Sequence, residues 1–356
     1  MKKSASKIYL ILIAAFAQSI VASAQEEALT ADSIASLILN RYAEAPQEKI
    51  YVHTDRSHYV AGDTVWFRAY VADAATNLLS DRSKFVYIEL LDNAADTLIK
   101  RIKIKADDDG VFANAIPLSS RMKTGSYTLA AYTRWMQNFD EEMFFKKRLK
   151  VVNPADSVSP QPERREINEM VLDVMPEGGN LIARLPQRVA YKAVGDDGLG
   201  VDVQVRLVNA DGEVIREGAS QHRGMGYILV NADADEELWL EAFSDDGLSC
   251  RTKLPKALAH GVALSVNQHK GTVLIQPRAT PGFDISRVAL ALYGADNLLV
   301  KELTDESPVS ISARDLKPGV INIALIDMVT RKTLAERLIF VRDADPAELD
   351  ISSSAD

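Results

Sequence analysis

The chain has 356 residues and only one cysteine, Cys250. A lone cysteine cannot form an internal disulfide, so the fold must be held together by packing alone. No basic stripe offsets the net charge of −9, and this balance disfavours nucleic acid and anionic membrane surfaces as partners. Beyond residue 24 no apolar run approaches the ~20 residues of a spanning helix, which predicts a mature chain without a transmembrane segment.

Recognisable chemistry is also scarce. His53 and His58 are the only histidines close in sequence, and their separation matches no common zinc spacing. Cys250 has no neighbouring nucleophile motif. Four Asp-Gly pairs are typical of hairpin turns, which we favour over calcium sites because the EF-hand spacing is missing at all four. We therefore predict that the protein is not an enzyme and has no catalytic residue, metal site or cofactor.

The first residues have the pattern of an export signal. Three lysines precede an apolar run at 8–17, and the small residues at 22–24 form a cleavage site. The apolar run is too short for the alternative, a retained membrane anchor. We predict a cleaved signal peptide at 1–24 and a mature protein in the periplasm, at the periphery of the outer membrane or at the cell surface.

A short helix is expected within the lead-in segment, 25–47. Thr30 or Asp32 can cap its start, apolar residues follow at helical spacing, and Pro46 ends it. We expect this amphipathic helix to pack on its own domain rather than to bind a partner.

The remainder alternates apolar and polar residues with a period of two. At 64–71, for example, Val65 and Phe67 alternate with Trp66 and Arg68. The predicted fold is all-β: tandem antiparallel β-sandwiches of the macroglobulin or Ig-like kind, preceded by one short helix. The predicted segments are a first sandwich at 48–153, a linker rich in proline and serine at 154–168, a second sandwich at 169–256, a third at 257–343 and a C-terminal tail at 344–356.

Several sequence words resemble a known family. They are Glu-Lys-Ile-Tyr-Val-His-Thr-Asp-Arg at 48–56, Ala-Tyr-Thr followed by an aromatic, a Met and Asn-Phe at 131–139, Pro-Glu-Gly-Gly at 176–179, Gly-Met-Gly at 224–226 and Glu-Arg-Leu-Ile-Phe-Val at 336–341. They resemble the macroglobulin-like proteins with MG2 domains that the Bacteroidetes secrete. Some relatives continue into a plug domain like that of TonB-dependent receptors. Physically, the glycine-rich words indicate positive φ or close backbone approach.

One departure limits what the resemblance implies. Macroglobulins that trap proteases carry a thioester made from a cysteine and a glutamine three residues later, whereas Lys253 follows Cys250 at that distance. The thioester chemistry of those relatives is therefore not expected here.

Six residues are candidates for binding. Tyr132, Arg134, Trp135 and Phe139 either cap the open end of the first core or form an aromatic platform for a sugar or peptide. The pair Asp55 and Arg56 is interpreted as an ion pair or turn lock, with a binding role left open.

The predicted function is that of an exported, non-enzymatic macroglobulin-like scaffold of the bacterial envelope. It would act by contact with an envelope or outer-membrane protein, and the resemblance implies a link to a TonB-dependent system. The alternatives are a glycan-binding module that uses the aromatic patch, or a protease-inhibitor-like macroglobulin without a thioester. Nucleic acid is not an expected partner.

Overall fold

The computed structural model describes residues 28–108, 110–156, 167–196, 198–342 and 348. The predicted signal peptide, most of the predicted linker and most of the predicted tail lie outside the described residues.

Strands dominate the described chain, which confirms the predicted all-β class. The α-helix is α1 (Ala31–Glu44). The strands are β1 (Glu48–Thr54), β2 (His58–Val60), β3 (Thr64–Asp73), β4 (Phe85–Asp92), β5 (Thr97–Lys105), β6 (Phe112–Pro117), β7 (Gly125–Thr133), β8 (Phe145–Val152), β9 (Met170–Pro176), β10 (Gln187–Gly195), β11 (Val203–Val208), β12 (Val214–Ala219), β13 (Met225–Val230), β14 (Trp239–Ser244), β15 (Ser249–Lys253), β16 (Val262–His269), β17 (Thr272–Ala279), β18 (Val288–Gly294), β19 (Asn297–Glu302), β20 (Val309–Ser312), β21 (Gly319–Asp327) and β22 (Thr333–Val341).

The first sandwich packs a three-stranded sheet, β1-β3-β6, against a five-stranded sheet, β2-β8-β7-β4-β5. The pairings are antiparallel except that of β2 with β8. The inward positions of both sheets form one apolar core, in which Val65, Ile88 and Leu129 are fully buried. Because successive strand residues point to opposite faces, each sheet also has an outer face.

The second and third sandwiches follow the same plan. β13-β10-β9 faces β12-β11-β14-β15, and β16-β17-β20 faces β19-β18-β21-β22. Each pair encloses a separate cluster of buried apolar residues. The domain boundaries set from the sequence remain predictions.

The helix starts as predicted but packs elsewhere. The Thr30 side chain accepts a hydrogen bond from the Ser33 N–H at 3.2 Å, and Ser33 Oγ accepts one from the Thr30 N–H at 2.7 Å. The expectation that α1 packs on the first domain is wrong: buried Ile34 lies in a cluster with Ala289 and Met328 of the third sandwich. The Leu29 N–H donates to the Met328 carbonyl at 2.8 Å. Small outward residues such as Ala289 leave room there for the apolar stripe of α1.

The Pro-Glu-Gly-Gly word joins the second and third sandwiches. The carboxylate of Glu177 is buried, accepts the Val266 N–H at 3.2 Å and lies 3.2 Å from the Arg337 guanidinium. Gly178 has a φ of +86°, and a Cβ there would lie 3.2 Å from that of Ala335. This confirms the interpretation that the word marks positive φ and close approach.

Candidate functional site

The outer face of the three-stranded sheet carries an unusual set of exposed rings. β3 turns its apolar residues inward and presents Trp66, Arg68 and Tyr70 outward, while β1 presents Tyr51 and His53. The strand register places Tyr51 opposite Tyr70 and His53 opposite Arg68. This face was not among the binding sites predicted from the sequence, although the alternation of β3 already set these residues apart from the core.

The rings form a connected array. The centroids of Tyr51 and His53 are 4.9 Å apart and those of His53 and Tyr70 are 5.8 Å apart, both edge to face. The Arg68 guanidinium carbon lies 5.4 Å from the centroid of the Tyr70 ring, within the range of a cation–π contact. These contacts already restrict the side-chain rotations of the rings. The loss of side-chain entropy when a partner binds is therefore small.

A shallow cleft of about 470 Å³ opens beside this array. It is lined by His53, Thr54, Asp55, Trp66, Phe67, Arg68, Ala113 and Asn114. We call the cleft together with Tyr51 and Tyr70 the aromatic cleft. Trp66 is 61% exposed, a large apolar area to leave in water. A partner that covered this ring would gain on the order of 2 kcal/mol from its burial alone.

Alanines on β6 keep the aromatic cleft open. Ala113 lies opposite Arg68 and Ala115 lies opposite Trp66 in the antiparallel register. Larger residues at these positions would cover the neighbouring side chains. β6 ends its sheet within the described residues, so its outer edge is a place where an extended segment can add.

Asp55 and Arg56 form a hydrogen-bonded lock at one end of this cleft. Asp55 Oδ1 accepts the Tyr59 hydroxyl at 2.7 Å and the Trp66 N–H at 3.0 Å, and Arg56 Nε lies 3.2 Å from Asp55 Oδ2. Arg56 also reaches Asp63 Oδ2 at 3.4 Å. The lock fixes the entry of β3, and with it the position of Trp66. A direct binding role for Asp55 and Arg56 remains a prediction.

Two pKa shifts follow from this lock. Burial acts to raise the pKa of Asp55, but hydrogen bonds from Tyr59, Arg56 and the Trp66 backbone outweigh it, so that the pKa lies below its usual value. Burial and the adjacent carboxylate raise the pKa of Tyr59 to about 12. Both shifts favour the ion-paired, hydrogen-bonded form at neutral pH.

Tyr132 is placed differently from the other predicted site residues. It is only 5% exposed, and its ring is stacked between those of Phe144 at 4.5 Å and Tyr87 at 5.5 Å. Its hydroxyl donates to Glu89 Oε1 at 2.6 Å, and Arg101 Nε lies 2.5 Å from the same oxygen. Burial, followed by the Glu89 carboxylate, raises the pKa of Tyr132 to about 12. A stacked and buried ring offers no free face to a ligand.

Trp135 and Phe139 lie together at the end of β7. Their ring centroids are 5.9 Å apart, and Trp135 Nε1 donates to the Pro46 carbonyl at 2.5 Å. Trp135 is 38% exposed, and Arg134 beside it is exposed. The Trp135 contact holds the segment between α1 and β1, so the structure groups Trp135 with Phe139 but not with the stacked Tyr132.

The described residues contain no cluster of three or more His, Cys, Asp or Glu side chains arranged to hold a metal ion. Cys250 is half-buried in β15, and burial raises the pKa of its thiol, which disfavours the nucleophilic thiolate.

The turns predicted at Asp-Gly pairs are confirmed at Gly212 and Gly247, whose φ angles are +81° and +87°.

In the described part of the chain, no helix is both long and apolar enough to cross a membrane.

The first sandwich matches a known domain in a comparison with protein families. Residues 49–151 match the model of the MG2 domain, a domain of the macroglobulin family. The aromatic cleft lies within this match. No curated protein sequence matches the chain.

Comparison with solved structures gives distant likenesses. Trypsin-activated alpha-2-macroglobulin from Escherichia coli is 11% identical, with a TM-score of 0.26, over 84% of this chain and 24% of that one. A Salmonella alpha-2-macroglobulin mutant is 12% identical, with a TM-score of 0.26, over 83% and 23%. The BSP domain of a biofilm-associated protein is 10% identical, with a TM-score of 0.28, over 88% and 70%. This chain therefore spans about a quarter of the length of the alpha-2-macroglobulins, and likenesses at these TM-scores carry no functional argument.

Proposed function

We propose that this protein, which carries an MG2 domain, is an exported, non-enzymatic scaffold that holds a partner protein at its aromatic cleft. The observation that carries the proposal is the exposed ring of Trp66, which lines the same cleft as His53 and Arg68 of the ordered ring array. Exposed aromatic and arginine side chains in one patch are typical of the centres of protein interfaces.

Strand addition at β6 is the mode of contact that this geometry favours. An extended partner segment along the outer edge of β6 would pair its backbone with that strand. Its alternate side chains would lie over Ala113 and Ala115 and reach Arg68 and Trp66 behind them. Backbone pairing would supply affinity, and the aromatic cleft would select the side chains.

The proposed setting is the bacterial envelope. The export pattern at 1–24 and the sequence resemblance support a location in the periplasm, at the outer-membrane periphery or on the cell surface. We propose an envelope or outer-membrane protein as the partner, with a TonB-linked assembly as the more specific form of this proposal.

Affinity capture tests the proposed function. The full mature chain is immobilised, mixed with envelope extract of the source bacterium and crosslinked, and it should recover a partner protein. The yield of that protein should fall at least about tenfold in Trp66→Ala, because an interface hot spot is lost. Phe340→Ala is the matched control, since Phe340 is 59% exposed on the third sandwich. Equal capture by Trp66→Ala and the wild type would contradict the proposal.

Glycan binding is the second candidate, and the flat exposed ring of Trp66 favours it. Titration calorimetry against an oligosaccharide panel separates the two functions. Saturable heat that disappears in Trp66→Ala would support a sugar ligand, and a panel without heat would leave the protein partner as the function.

A further inference from the structure

The outer face of the five-stranded sheet in the first sandwich is strongly basic, so the expectation from the sequence that no basic stripe is present is wrong. β5 presents Arg101, Lys103 and Lys105 on this face, and β8 presents Lys146, Arg148 and Lys150. All six side chains are exposed. We call these six residues and the surface between them the basic face.

The charge of the basic face is only partly compensated: Asp107 and Asp108 line one cleft with Lys105 at its end. Glu89 is the acidic residue that the central strands place among these cations, and it pairs with Arg101. The other five cations make no ion pair within the described residues; Lys103 instead lies 4.2 Å from the centroid of the Phe85 ring. The whole chain has a net charge of −9, so this concentration of positive charge runs against its overall balance. Like charges held this close repel one another, and a bound anion would relieve that repulsion.

The cations stand in two staggered columns. The register places Lys146 of β8 and Arg101 of β5 in one row, and from that row the two columns run in opposite directions along the sheet. Alternate residues of a strand are ~6.8 Å apart, which sets the spacing within each column. In the row that they share, two further strands, β7 and β4, separate β8 from β5, so Lys146 and Arg101 are ~14 Å apart and the other cations of the two columns are farther from one another. Ala130 and Glu89 lie between these two cations, and Thr128 is paired with Arg148 in the next row of the β8 column. These small residues of β7 let another main chain approach closely beside the β8 column.

We propose that the basic face docks an extended acidic segment of a partner protein. Acidic residues at alternate positions of an extended chain recur every ~6.8 Å on one side, which matches the spacing of the cations along β8 and β5. The stacked rings of Phe144, Tyr132 and Tyr87 lie beyond Lys146, in the row of Lys103, and supply an apolar boundary to the β8 column. An anionic membrane fits less well, because the rest of the acidic chain would be repelled from such a surface.

Protection of sheet edges does not explain the whole face. Lysines on an edge strand discourage pairing between sheets, and β5 is an edge strand. Lys150, however, lies where β8 is paired on both sides, with Ser126 of β7 and His58 of β2. Edge protection accounts for Lys146 and Arg148, which precede the part of β8 that β2 pairs, but it leaves Lys150 without a reason, whereas docking of an acidic segment accounts for all three.

The test measures binding of a fluorescent peptide of alternating Asp and Ser to the full mature chain. The peptide should bind, and its affinity should fall at least about tenfold between about 50 mM and about 300 mM salt, because screening shortens the reach of exposed charges. The triple variant Lys146→Glu, Arg148→Glu and Lys150→Glu should lower the affinity by at least about a further tenfold at low salt.

The matched control reverses three exposed cations outside the basic face, Lys192, Arg216 and Lys301, and so changes the net charge equally. It should bind the peptide as the wild type does. Hydrogen exchange of β7 amides checks that both triple variants are folded. A second peptide with paired Asp and paired Ser has the same charge without the alternate spacing and should bind more weakly.

Three results would overturn the proposal. The first is equal loss of binding in both triple variants, which would indicate net charge alone. The second is equal binding of the two peptides. The third is binding of alginate, or of vesicles that contain phosphatidylglycerol, by a chain that does not bind the alternating peptide. The test involves no residue of the aromatic cleft, so it can fail while the proposed function stands.

Discussion

The two outer faces of the first sandwich share one core and differ in almost everything else. The three-stranded sheet presents rings and a single arginine beside alanines, whereas the five-stranded sheet presents two staggered columns of cations beside rings that stack on buried Tyr132. In the first, aromatic groups remain open to a partner; in the second, they are closed against each other. The comparison teaches that aromatic residues in a sequence indicate a site only once their neighbours across the strands are known.

The largest effect is expected in the core that both faces share, because a substitution there should destabilise both sheets. Leu129 of β7 is fully buried between the sheets, and Leu129→Ala should lower the free energy of unfolding by about 2–5 kcal/mol through lost burial and a cavity. Hydrogen exchange in the full chain should show faster exchange in both β3 and β7. If only β7 lost protection, the two faces would not belong to one cooperative unit.

The closed rings of the basic face depend on Glu89. Glu89→Gln weakens the contacts to Tyr132 and Arg101 and should cost about 1–3 kcal/mol. The pKa of Tyr132 should also fall from about 12 toward its ordinary value, measured as a difference in tyrosinate absorbance between variant and wild type. The stabilisation linked to this raised pKa is present below the ordinary pKa of tyrosine and is lost as the pH rises through about 12. An unchanged tyrosinate titration would contradict the assigned hydrogen bond.

The lock beside the aromatic cleft should respond to acid instead. The pKa of Asp55 is lower in the folded chain than its ordinary value of 3.8, so its contribution is present above that pH and is lost as the pH falls through the folded-state pKa. Asp55→Asn should cost about 1 kcal/mol at neutral pH and flatten the acid dependence of exchange in β3. Asp140→Asn is the control, because Asp140 caps a short turn away from the cleft. The same acid dependence in Asp55→Asn and the wild type would refute the role given to the lock.

The smallest effect on stability is expected at Trp66. Trp66→Ala removes an exposed ring and should change the free energy of unfolding by no more than about 0.5 kcal/mol. If Trp66→Ala has a denaturant midpoint near that of the wild type and still loses partner capture, the ring contributes to binding and not to folding. A strongly destabilised variant would mean that the ring supports the sheet.

Much of the fold could be predicted because strand patterns are local. The alternation at 64–71 correctly assigned the inward residues of β3, and Thr30 was correctly expected among the caps of α1. The family words also have physical reasons within the sandwich. Thr133, in the Ala-Tyr-Thr word, donates to Glu48 of the first word at 2.7 Å and so ties β7 to β1.

What could not be predicted depends on contacts distant in sequence. The docking of α1 on the third sandwich requires outward alanines such as Ala289, far away in the chain. The burial of Tyr132 depends on the register that places Tyr87 beside it. The aromatic cleft depends on the pairing of β3 with β6, which sets Ala115 beside Trp66. An outward tryptophan in an alternating strand was the signal available in the sequence.

Photo-crosslinking tests the central claim most directly. A photoreactive phenylalanine analogue at position 66 of the full chain, produced in the source organism, should form a discrete adduct with one partner protein. The same analogue at position 340, also exposed but outside the aromatic cleft, should not form that adduct. No adduct at position 66, or the same adduct at both positions, would contradict the claim that the cleft holds a partner protein.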